Sequence, residues 1–254
     1  MQLIIDIGNT NIVFGINQAN VWKNIWRIRT DIQKTADEYE VIFRSLFSGS
    51  DVYLEEISRV ILSSVVPALN DDFKELTERF LGRKVLLIKP DLFHRLPIKI
   101  LNPYQIGTDL VANAIAAYTK FEKPCMVIDF GTALTFITIS GSGEILGVAI
   151  APGLGTALRS LAGNTAQLPH VPLDQPPSVL GKNTVHAIQA GVVVGYAGLV
   201  DRIVEQTEEE LQLPLKVVAT GGLSAVLNGK STRITHFEPN LTLDGLKIIG
   251  DCIG

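Results

Sequence analysis

The sequence predicts an α/β fold built from two similar halves. The first observation behind this is alternation: short β-branched apolar runs are interleaved with amphipathic helical patterns along the chain. The second is repetition. Residues 3–16, LIIDIGNTNIVFGI, place an apolar strand, Asp6, Gly8 and a second β-rich run in one plan, and residues 126–139, MVIDFGTALTFITI, repeat it with Asp129 and Gly131. Such self-similarity marks a duplicated unit. The third is length: 254 residues are enough for one large core or two ordinary ones.

The first half opens with the 3–16 hairpin, and residues 21–30 extend it as a further strand of a meander. Residues 37–46 carry Tyr39, Ile42, Phe43 and Leu46 at helical spacing, with Gly49 as the stop. Residues 57–66 read as a buried strand closed by Pro67; Ser63 and Ser64 at its end could face a nucleotide, though small polar residues at a strand end are more often turn-formers. An amphipathic helix over 71–80 and a short strand over 85–88 follow. After the Asn102-Pro103 turn, a helix begins at Thr108, which is expected to be its N-cap, with Asp109 in the first turn.

The second half begins near Pro124. Its hairpin strands turn at Gly141-Ser142-Gly143 into a strand over 145–150, and the glycines of residues 151–155 precede a short helix. Residues 169–177 form a proline-rich loop and residues 183–206 a long helix. A strand over 216–220 leads to Gly221-Gly222, which is expected to open a helix, and residues 241–253 close the chain as an apolar-faced helix. The division is expected at residues 1–118 and 119–254.

Composition narrows the function classes. A hydrophobic fraction of 46% and a net charge of −4 describe a globular chain without the broad basic face of a nucleic-acid binder. No uninterrupted apolar run of about eighteen residues occurs, so no membrane span is expected. No secretory signal is expected either. Cys125 and Cys252 are far apart and outside any metal-ligand spacing, which fits two reduced thiols in the cytoplasm. His94, His170, His186 and His236 are scattered and lack zinc-site partners.

The two D-x-G turns carry the chemistry. Gly8 and Gly131 admit positive φ or close approach of a ligand, and backbone N–H groups of such turns cradle phosphate oxygens. Asp6, at the strand end, is placed to hold a hydrated Mg²⁺ that neutralises them. Repeated turns of this kind, expected to face one cleft, resemble the phosphate-binding pattern of the sugar kinase, actin and heat-shock ATPase superfamily.

The full motif set is DIGNTN from Asp6, GTD from Gly107, DFGTALT from Asp129, APG from Ala151, LP from Leu168, GKNT from Gly181 and ATGGL from Ala219. In that order it resembles the type III pantothenate kinase family over essentially the whole chain. The resemblance implies two ribonuclease-H-like domains, each a mixed five-stranded sheet with helices, around a central nucleotide cleft. It implies ATP-dependent phosphorylation of pantothenate, Mg²⁺, a monovalent cation (K⁺ or NH₄⁺) and a homodimer.

Site residues follow from the same resemblance. The first phosphate loop falls on Asp6, Ile7, Gly8, Asn9, Thr10, Asn11, Ile12 and Val13, and the second on Gly131 and Thr132. Gly221 and Gly222 form the adenosine turn. The general base falls on Asp109 and the monovalent-cation ligand on Asp129, while Gly107, Thr108 and Thr184 lie on the pantothenate side. Two pocket positions depart from the family: Ile100 stands where it usually has Tyr, and Leu110 where it has Arg. Losing a charged hydrogen-bond partner removes about 1.5–3 kcal/mol, roughly ten- to a hundredfold in affinity, unless another cation such as Arg159 or Lys182 substitutes. The departures leave two competing readings: another small-molecule kinase or phosphohydrolase of the same fold, and a non-catalytic nucleotide-binding regulator. A dehydrogenase is not expected, because no G-x-G-x-x-G follows a strand and opens a helix.

Overall fold

The computed structural model describes residues 1–254 and resolves into two compact units, Met1–Ala116 with Thr242–Gly254, and Ala117–Leu241. In the first unit β1 (Gln2–Ile7), β2 (Asn11–Gln18), β3 (Val21–Arg29), β4 (Arg59–Ser64) and β5 (Val85–Leu87) form one sheet in the order β3-β2-β1-β4-β5. β1, β2 and β3 are an antiparallel meander, whereas β4 pairs parallel to β1 and β5 parallel to β4.

One face of this sheet carries Leu3, Ile5, Ile7, Phe14 and Leu62, all buried. It is covered by α1 (Ala36–Ser48) through Tyr39, Phe43 and Phe47, and by α2 (Asn70–Leu81) through Phe73, Leu76 and Phe80. Burying each such side chain is worth ~1.5–3 kcal/mol. Phe14 and Phe43 stack with ring centroids 4.2 Å apart. The start of α1 is fixed by a capping box between Thr35 and Glu38.

The opposite face of the same strands carries Ile4, Asp6, Ile61 and Ser63. Against it lie the first turns of α3 (Thr108–Phe121) and the last helix, α6 (Leu241–Ile253). Gly250 of α6 approaches Ile61 so closely that a Cβ would overlap its side chain, and Gly245 does the same to the Ala112 carbonyl of α3. Thr242 Oγ1 donates to Asn113 Oδ1 at 2.9 Å. The sequence division kept residues 241–254 with the second half; by packing, residues 242–254 join the first unit, because these close backbone contacts lie there.

The second unit repeats the plan. Here β6 (Cys125–Phe130), β7 (Ala133–Ile139), β8 (Ile145–Pro152), β9 (Lys216–Thr220) and β10 (His236–Phe237) are ordered β10-β9-β6-β7-β8. β6, β7 and β8 are antiparallel, and β9 lies parallel to both β6 and β10. Two mixed five-stranded sheets with helices are therefore present, as the sequence predicts. The remaining helices are α4 (Leu154–Asn164) and α5 (Thr184–Leu211).

α5, 28 residues long, is apolar and long enough on composition alone to cross a membrane. Its apolar side is committed elsewhere: Ile188, Val192, Val193, Ala197, Val200 and Val204 are buried against Met126, Ile128, Phe130 and Val217 of the sheet. The glycine pair expected to open a helix does not. Gly221 sits at φ +89, and Ser224 folds back to its carbonyl, so only a 3₁₀ turn over Ser224–Leu227 follows.

Candidate active site

In the first unit the turn between β1 and β2 comprises residues 8–10. Gly8 donates its N–H to the Asn11 carbonyl at 3.0 Å, and Thr30 Oγ1 donates to the Gly8 carbonyl at 2.6 Å. The glycine amide therefore closes the turn instead of facing a ligand. Asn9 and Thr10 are exposed at the tip, while Asn11 and Val13 are half-buried. Ile7 and Ile12 are core residues with no exposure, so they offer a phosphate group backbone only. Asp6 is half-buried at the strand end, in parallel register with Ser63 of β4.

That register matters because paired residues of neighbouring strands point to one face. Ser63 is fully buried, and its Oγ lies 2.8 Å from Oγ1 of Thr108 in the first turn of α3. Thr108 is thus not the N-cap that the sequence suggested. Gly107 occupies that place, its carbonyl accepting the Val111 N–H at 3.2 Å. The Thr108 hydroxyl has a tertiary partner, which local spacing cannot reveal.

Asp109 follows. Its Oδ1 accepts the Leu110 N–H at 2.9 Å and occupies the place a Cβ on residue 107 would take, so a side chain there would have to push the carboxylate aside. Burial raises the Asp109 carboxyl above the usual carboxylate range, and the N–H groups of Leu110 and of Asp109 itself partly oppose the rise. Leu110 is buried, and Ile100 is half-buried just before the Asn102-Pro103 turn. The structure brings Asp6, Ser63 and Thr108 to one face of the first sheet, with Asp109 the next residue along α3.

In the second unit Gly131 and Thr132 are exposed between β6 and β7. Gly131 N–H donates to the Ala133 carbonyl at 3.1 Å, again within the turn. The Thr132 carbonyl accepts from Gly153 N–H at 3.1 Å and from Thr156 Oγ1 at 2.7 Å. Gly153 is the N-cap of α4 and offers no side chain to the helix N-terminus. A Cβ there would overlap the Gly131 carbonyl. The start of α4 thus stands directly behind the Gly131-Thr132 turn, an arrangement suited to an anion.

Asp129, one residue before the end of β6, is in parallel register with Thr220, the last residue of β9. Thr220 is buried, and its Oγ1 has no hydrogen-bond partner. A Cβ on Gly221 would come within 2.5 Å of Asp129 Oδ1, so the glycine backbone closes over the carboxylate. A carboxylate beside an unpartnered buried hydroxyl is a donor set that suits a monovalent cation. Sequence reasoning missed Thr220 and set Ser63 aside as a turn-former. Each stands at the strand end beside a D-x-G aspartate, and that parallel was the available signal.

Thr184, expected near substrate, is the exposed first residue of α5, whose N-cap Asn183 accepts the His186 N–H at 2.8 Å. It borders a groove of about 710 Å³ in the second unit, together with Lys182, Ile188, Leu161 and Tyr196.

The sequence model of the type III pantothenate kinase family matches residues 2–206. The type III pantothenate kinase of Anaeromyxobacter sp. strain K is 44% identical over 249 residues, covering 98% of each chain. Among solved structures, a Campylobacter jejuni protein described as a Baf family transcriptional activator is 20% identical with a TM-score of 0.60, over 98% of this chain and 97% of its own. The ADPNP-bound activator of 2-hydroxyisocaproyl-CoA dehydratase from Clostridium difficile is 13% identical with a TM-score of 0.55, over 99% and 95%. At such identities the two structures speak for the fold alone.

Proposed function

The chain belongs to the type III pantothenate kinase family, and from that premise we infer that it phosphorylates pantothenate with ATP to give 4'-phosphopantothenate, the first step of coenzyme A biosynthesis. The observation that carries the chemistry is Asp109: a partly buried carboxyl of raised pKa at the start of α3, next to Thr108, whose hydroxyl meets Ser63, the register partner of Asp6.

Asp109 orients the primary hydroxyl of pantothenate and accepts its proton. A raised pKa makes it a better base than an ordinary aspartate. It need not be a strong one, since the phosphoryl-transfer transition state is loose and proton transfer comes late. Asn9 and Thr10 in one turn, and Thr132 with the α4 N-terminus in the other, orient phosphate oxygens. Gly221 and Gly222 admit the adenosine.

The chain has no cluster of three or more His, Cys, Asp or Glu side chains suited to a metal, so Mg²⁺ is assigned to Asp6 together with the nucleotide phosphates. Asp129 and Thr220 would hold the monovalent cation. Bound there, the ions would supply positive charge against the charge that develops on the phosphoryl group. By the family resemblance Gly107 and Thr108 in the first unit and Thr184 in the second are assigned to pantothenate, and Lys182, on the groove beside Thr184, offers a cation. A homodimer in the cytoplasm completes the reading.

The test is an assay of ATP consumption with and without pantothenate, in potassium, ammonium and sodium salts. Consumption that requires pantothenate and rises with K⁺ or NH₄⁺ is expected. The buried Leu110 favours one second reading, a kinase for a different acceptor, and turnover of another hydroxyl compound with none of pantothenate would establish it.

A further inference from the structure

We propose that Ser63 is a positioning residue for phosphoryl transfer, coupling the sheet that carries Asp6 to the helix that carries Asp109. The inference rests on the reading of Asp109 as the base. Ser63 has no exposed surface and touches no ligand-facing turn, yet its Oγ lies 2.8 Å from Thr108 Oγ1, and Thr108 is itself buried.

The bond links elements far apart in sequence. On one side, Ser63 is the register partner of Asp6 on the neighbouring strand, so the two keep their places relative to each other while β4 and β1 stay paired. On the other, Thr108 is joined directly to Asp109. The remaining restraints on Asp109 are local: the Leu110 N–H at 2.9 Å and the absence of a Cβ at Gly107. These fix the carboxylate relative to its own helix turn. The seat of that turn on the sheet depends on other contacts, the α6 packing at Ala112 and the Ser63–Thr108 bond. The Ser63–Thr108 contact ties the start of α3, one residue from the carboxylate, directly to the sheet. Misplacement of a reacting group by an ångström has large kinetic effects.

The experiment compares Ser63→Ala, the double variant Ser63→Ala with Thr108→Val, and Asp109→Asn, each by kcat, KM for ATP and Tm. Ser63→Ala leaves the Thr108 hydroxyl buried and alone, so Tm and kcat both fall, kcat by about tenfold, with KM for ATP within twofold of the parent. The double variant removes the orphaned hydroxyl. Tm is expected to recover while kcat stays low, because the tie is still missing. Recovery of kcat along with Tm would overturn the proposal and leave Ser63 a packing residue, as would an unchanged kcat in Ser63→Ala. Asp109→Asn separates the two levels: if it retains turnover, the reading of the base fails, whatever Ser63 does.

Discussion

Thr220 and Asp129 stand side by side at the ends of parallel strands, and the Thr220 hydroxyl is buried without a hydrogen-bond partner. An orphaned buried hydroxyl costs about 1–3 kcal/mol. A cation on Asp129 would satisfy it. Thr220→Val keeps the shape and removes the oxygen. Without added cation the variant should melt at the same or a higher temperature than the parent. With K⁺ or NH₄⁺ its stabilisation should require roughly tenfold more salt, the equivalent of about 1.4 kcal/mol. Thermal denaturation across a salt titration reads both. Coincident titration curves would remove Thr220 from the cation site.

Asp109→Asn should separate activity from stability. Loss of a general base lowers kcat by about 10²–10⁴-fold, with ATP affinity retained. The folded-state pKa of Asp109 is raised, so its contribution to stability is complete below the unfolded-state pKa and is lost as pH rises through the folded-state value. Asparagine has no such loss. The variant's Tm should therefore gain on the parent's from acid to neutral pH. In the parent, the acidic limb of the kcat profile should lie above the ordinary aspartate range. A variant that turns over normally, or a limb at the ordinary position, would contradict the assignment.

Local pattern made much of the fold legible. The D-x-G hairpins and α6 stand where residues 3–16, 126–139 and 241–253 placed them, because strand alternation and helical spacing are written in adjacent residues. What escaped depends on distant partners. Thr108 looks like a cap until Ser63, 45 positions earlier, takes its hydroxyl. Gly221-Gly222 looks like a helix start until the left-handed Gly221 and the Ser224 bond close a tighter turn. The return of α6 to the first unit depends on Gly245 and Gly250 fitting against Ala112 and Ile61, which no periodicity reports.

Leu110→Arg tests whether the family arginine can be restored. Leu110 is buried, so a guanidinium placed there must be desolvated or push its surroundings apart. The expected result is a fall in Tm with no gain in KM for pantothenate. Lys182→Met, on the groove beside Thr184, should instead raise that KM by about tenfold, the loss of one charge-assisted contact. A lower KM in Leu110→Arg at unchanged Tm would assign the substrate carboxylate to the start of α3.

The two thiols should differ in reactivity. Cys125 is buried in β6, and burial pushes its thiol up to about 12, leaving it protonated and enclosed at neutral pH. Cys252, half-buried in α6, is the accessible one. A thiol reagent should titrate one group in the native protein and both after denaturation. Equal rates for the two would show that β6 opens readily.

Gly245→Ala probes the seat of α6. An added Cβ would overlap the carbonyl oxygen of Ala112, a backbone atom that cannot rotate away. Helix propensity favours alanine by about 1 kcal/mol, so propensity alone predicts stabilisation. Overpacking against fixed backbone costs ~1–3 kcal/mol and acts the other way. Because relief requires α6 to shift against α3, stretching the Thr242–Asn113 bond, the steric term should win and Tm should fall. Gly147→Ala, where an added Cβ meets nothing within 4 Å, is the control and should leave Tm nearly unchanged. A stabilised Gly245→Ala protein would mean that α6 does not pack on α3 at this distance.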